Sequence, residues 1–70
     1  MTQGNTSVSN PHYNLVSVLY HALEGAQTYG QYIQDAQGDQ ELVQFFQQAQ
    51  QQDNQRAQQA LQLLTSRAKS

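Results

Sequence analysis

The stretch AQGDQEL, residues 36–42, decides the fold. Apolar residues recur at helical spacing on both sides of it and stop within it. Gly38 can take the left-handed backbone conformation that ends a helix, and the Asp39 side chain can accept a hydrogen bond from the first free N–H groups of the next one. A connection this short forces two long helices to lie side by side and antiparallel, as an αα-hairpin.

Upstream, the start of the first helix is written in "SNPHYNLV", residues 9–16. Asn10 is a capping residue, and Pro11 suits the first helical position because its missing N–H would have had no partner there. Leu15, Leu19, Ala22, Ala26, Tyr29, Ile33 and Ala36 then recur in alternating steps of four and three, with Val16 and Leu23 widening the stripe. Gly25 and Gly30 each weaken this helix by about 1 kcal/mol relative to alanine. Gly30 is expected to serve as a notch for a large side chain. Downstream, Leu42, Phe46, Ala49, Ala57, Ala60 and Leu64 form the inward stripe of the second helix, with Asp53 at its centre. Folding the chain back about Gly38 sets Phe46 level with Gly30, and Asp53 level with Ala22 and Leu23.

Seventy residues allow one small domain, and such a chain buries too little surface to be comfortably stable without disulfides, a metal or a partner chain. Cysteine is absent, which excludes disulfides and fits a reducing compartment. Self-association is the leading remedy. Leu42, Val43, Phe45, Phe46, Leu61, Leu63 and Leu64 cover nearly half of the second helix, more than one neighbouring helix can bury. The expected architecture is all-α: a long antiparallel hairpin over residues 10–70, two copies of which form a four-helix bundle. Residues 1–9 are small and polar and read as a flexible tail. The Asn5-Thr6-Ser7 sequon is read as part of that tail.

Three basic and five acidic side chains give a net charge of −2. With no lysine or arginine cluster to neutralise phosphates, nucleic acid is not an expected partner. The N-terminal residues lack a basic start and an apolar core, and no later stretch approaches a membrane span, so a cytoplasmic protein is expected. Sixteen glutamines alternate with the apolar stripes. Glutamine is a fair helix former, so they read as a solvated helix surface rather than a low-complexity tract.

The segment "ELVQFFQQAQQQDNQRAQQALQLL", residues 41–64, resembles the second helix of rubrerythrins and related small ferritin-like proteins. Together with "LEGAQTYGQYIQDA", residues 23–36, the resemblance covers about residues 12–66. It implies a ferritin-like four-helix bundle. In that family a Glu-x-x-His motif on the second helix supplies two iron ligands, and the first helix adds an inward glutamate. Here Asp53 stands at the glutamate position and Arg56 at the histidine position; a guanidinium stays protonated and has no lone pair for a metal. Leu19, Ala22 and Ala26 occupy the inward positions of the first helix. The resemblance thus implies a degenerate di-iron site.

Asp53, Glu24 and His21 are the weak metal candidates that remain. His21 and Glu24 form an H-x-x-E pair on one side of a helix turn, away from the apolar stripe; His12 reads as a packing or cap residue. Tyr13, Tyr20, Tyr29 and Tyr32 read as core and interface filling. No serine, histidine and acid combination is expected to assemble into a triad within one hairpin. A carboxylate on an inward stripe needs compensation, and Arg56 is one turn away. The expectation is a buried polar pair, Asp53 with Arg56 of its own or the neighbouring chain, with Gln50 or a tyrosine hydroxyl completing the set, that fixes helix register. Losing Asp53 would then strand a buried guanidinium at a cost of about 3 kcal/mol. The functional expectation is a non-enzymatic ferritin-like module without a cofactor, partnered by a second copy or a larger protein. The alternative is an iron-binding or di-iron oxidoreductase member of the group, its ligands completed by a partner chain.

Overall fold

Asn10 and Asp39, the capping residues of the sequence, each start a helix in the computed structural model, which describes residues 10–68. Helix α1 spans Pro11–Asp35 and helix α2 spans Gln40–Ala68. The Asn10 side chain accepts a hydrogen bond from the Tyr13 N–H at 3.1 Å, and Pro11 takes the first helical position. Residues 36–39 connect the two helices. Gly38 has a φ of 100°, the left-handed backbone that an L side chain rarely adopts. The Asp39 N–H closes the turn on the Ala36 carbonyl at 2.9 Å, and Asp39 Oδ1 accepts from the Leu42 N–H at 3.3 Å. Four residues thus end one helix, reverse the chain and cap the next.

The helices pack as a hairpin. Its buried hydrophobic core is alanine alone: among the described residues, Ala22, Ala26, Ala36, Ala57 and Ala60 are between 3% and 8% exposed, and no large side chain is fully buried. Small side chains let two helices approach closely, but they remove little apolar surface from water. Leu15, Leu19, Tyr29, Ile33, Val43, Phe46 and Leu64 flank the alanine seam half-buried. Leu42, assigned to the inward stripe by spacing, is exposed, and Val43 takes the inner place. The two residues lie to either side of the stripe centre, and the orientation of α2 against α1 selects between them.

The flexible tail expected over residues 1–9, with the sequon at Asn5, lies outside the described residues. Among the described residues no helix is long and apolar enough to cross a membrane.

Candidate functional site

Midway along the hairpin, Asp53 turns its carboxylate against α1 at Gly25. A Cβ added there would overlap the Asp53 carboxylate oxygen Oδ2, so glycine is what makes room for the acid. The other oxygen, Oδ1, accepts a hydrogen bond from Arg56 Nη1 at 2.7 Å. The two side chains differ in shelter: that of Asp53 is 18% exposed and that of Arg56 55%. The expected buried pair is therefore not buried: Asp53 is half-buried and Arg56 is exposed. Arg56 sits at the margin of the stripe, and its long side chain carries the guanidinium to water. An ion pair with one solvated partner contributes about 1 kcal/mol or less, and the cost of a stranded buried cation does not arise.

One turn nearer the connection, Gln50 Nε2 donates to the Ala26 backbone carbonyl of α1 at 2.9 Å, in a part-buried position. Gln50 thereby ties α2 to α1 directly. The notch expected at Gly30 for a large side chain instead faces this amide, whose nitrogen would lie 3.6 Å from an added Cβ. Gln50, expected to complete the Asp53–Arg56 set, lies three residues before Asp53 on the same inward side but donates its amide N–H to the backbone of α1 instead. The aromatic side chains gather near the connection instead: the Tyr32 and Phe46 rings are 5.5 Å apart, Tyr29 and Tyr32 5.7 Å, and Phe45 and Phe46 5.8 Å. Tyr29 is half-buried, whereas Tyr13, Tyr20 and Tyr32 are exposed and fill no core of the hairpin.

Beside the ion pair lies an open cleft of about 320 Å³ lined by Ser17, Val18, His21, Ala22, Asp53 and Arg56. A serine, a histidine and an aspartate thus share one cleft. Among the described residues, however, no hydrogen bond joins Ser17 to His21 or His21 to Asp53, and the Asp53 carboxylate is engaged by Arg56. A nucleophile, base and orienter must be linked to act, and these are not. His21 Nδ1 instead lies 3.8 Å from Glu24 Oε1, with both side chains well exposed. His21 and Asp53 therefore share the cleft, while Glu24 is not part of its lining. Among the described residues, no group of three histidine or carboxylate side chains is placed to hold a metal ion.

No protein-family model, curated protein or solved structure matches the chain. The rubrerythrin-like resemblance thus has no family match behind it, and the all-α hairpin is compatible with it only at the level of a helical fold.

Proposed function

We propose that the chain is a non-enzymatic helical module that works by self-association, two hairpins packing into a ferritin-like four-helix bundle. The observation that carries this reading is the distribution of apolar side chains. Alanines fill the seam of the hairpin, while Val18, Leu23, Tyr32, Phe45, Leu61 and Leu63 remain exposed on its flanks. A hairpin that leaves its large apolar residues in water and buries its smallest ones is half of a core. A second copy supplies the other half with no new sequence. The length of the hairpin and the aromatic-rich first helix support the ferritin-like form of the bundle. Arg56, at the place where that family needs a histidine, supports a bundle without a di-iron centre.

The test is the mass in solution of protein purified without chelators, read together with its metal content. A dimer or larger assembly is expected at micromolar concentration, with iron, manganese and zinc well below one per chain and a melting temperature indifferent to chelator. A folded monomer overturns the reading. One tightly held metal per chain, or two per dimer, favours instead a metal-binding protein whose ligands are completed across the subunits, with Asp53 and His21 the first residues to examine.

A further inference from the structure

We infer that Gln50 and Asp53 clasp α1 from its two sides, midway along the hairpin, and so decide which apolar residues of α2 turn inward and which stay available to a partner. The clasp rests on contacts within one chain; only its bearing on a partner rests on the self-association reading. Gly25 and Gly30 are five residues apart, which sets them about 140° apart around α1 with Ala22 and Ala26 between them. They are the two edges of the ridge that these buried alanines form. Each edge meets a polar side chain of α2. An added Cβ at Gly25 would overlap the Asp53 carboxylate, and one at Gly30 would lie 3.6 Å from the Gln50 amide. The same amide donates to the Ala26 carbonyl at 2.9 Å.

The pattern of exposure along α2 shows what such a clasp holds. Leu42 and Ala60 are about five helical turns apart, so they project in the same direction from α2, as do Val43 and Leu61. Yet Leu42 is 44% exposed and Ala60 3%, whereas Val43 is half-buried and Leu61 54% exposed. The line of α2 that faces α1 therefore moves round the helix, from the Val43 side near the connection to the Ala60 side at the far end. Gln50 and Asp53 stand midway between these residues, where the line changes sides. Turning α2 one way draws the Gln50 amide off the Ala26 carbonyl; turning it the other way lifts Asp53 out of the Gly25 notch. A polar group moved from its partner onto alanine methyls is left unsatisfied, so both turns are opposed. The methyls themselves oppose neither, being too short to interlock as knobs in holes. Phe45, Leu61 and Leu63 thus stay outward, and a second copy meets them in one fixed arrangement.

The chain has no cysteine, so single introduced thiols report without background. Leu42→Cys, Val43→Cys, Ala60→Cys and Leu61→Cys are each made in the otherwise unsubstituted chain and again with Gln50→Ala and Asp53→Ala added. Their rates of reaction with a maleimide are compared at one protein concentration. With the clasp removed, the two neighbours in at least one pair, Leu42 with Val43 or Ala60 with Leu61, are expected to change in opposite directions, one thiol at least threefold faster and the other at least threefold slower. Reciprocal change marks a turn of the helix. Rates that all stay within threefold, or changes of one sign only, overturn the inference, because Gln50 and Asp53 then hold α2 down without orienting it. If the double substitution abolishes the helix content seen by circular dichroism, the same readings are made on Gln50→Glu, whose carboxylate has no N–H for the Ala26 carbonyl, and are judged alike. Failure of the labelling test leaves self-association standing. A monomeric mass of the unsubstituted chain removes the partner and leaves the clasp.

Discussion

Gly25 and Gly30 look alike in the sequence and differ in what they face. Each lowers helix propensity by about 1 kcal/mol relative to alanine, so alanine at either site gains that amount if nothing obstructs it. At Gly30 nothing does, because the nearest contact of an added Cβ is ordinary van der Waals distance from the Gln50 amide. Gly30→Ala should therefore stabilise the protein by about 0.5–1 kcal/mol in urea denaturation at fixed protein concentration. At Gly25 the added methyl overlaps the Asp53 carboxylate, which must leave its place between α1 and Arg56. Gly25→Ala should therefore come out near neutral, its gain in helix propensity offset by the lost ion pair, whereas in an Asp53→Ala chain, where no carboxylate obstructs the methyl, the same change should stabilise by about 1 kcal/mol, a coupling that a double-mutant cycle reads directly. By itself Asp53→Ala should cost about 1 kcal/mol or less, since Arg56 keeps its water. A loss near 3 kcal/mol would mean that the guanidinium is enclosed. The sequence placed Asp53 on an inward stripe with Arg56 a turn away, and the structure forms that pair. What the sequence could not show was the shelter of each partner, nor which glycine was the notch. Both depend on a fraction of a helical turn in the offset of α1 against α2, and residue spacing within one helix carries no information about that offset.

At the scale of the elements, local chemistry was sufficient. Asn10, Pro11, Gly38 and Asp39 act within a few residues of themselves, and the helix ends fall where their backbone preferences place them. Leu42 and Val43 show the limit of such reasoning, because both fit the periodicity and only the facing helix distinguishes them. The connection offers a clean test. An added Cβ at Gly38 meets nothing within 4 Å, so any cost of a side chain there is backbone strain at a φ of 100°. Gly38→Ala should destabilise by about 1–2 kcal/mol, and Gly38→Asn by less, because asparagine tolerates the left-handed region better. Equal stability of all three by chemical denaturation would show that the turn relaxes to another conformation.

At the scale of the whole molecule, the alanine seam leads to an expectation that a monomeric hairpin does not share. Alanine methyls remove little apolar surface from water, while ordering two long helices costs conformational entropy along the whole chain. Most of the apolar surface able to offset that cost lies on the flanks, where a second copy must cover it. Folding and association are then one transition, and stability depends on protein concentration by mass action. For a dimer that unfolds to two chains, each tenfold rise in concentration adds about 1.4 kcal/mol per dimer. With the unfolding entropy typical of an assembly of this size, the melting temperature should rise by about 5 °C per tenfold increase. Thermal scans by circular dichroism across a hundredfold range of concentration, from low to high micromolar, should resolve the slope. A melting temperature that stays constant across the range would show that the alanine seam is enough to fold one hairpin. The exposed residues would then be a surface for some other partner, not the missing half of a core.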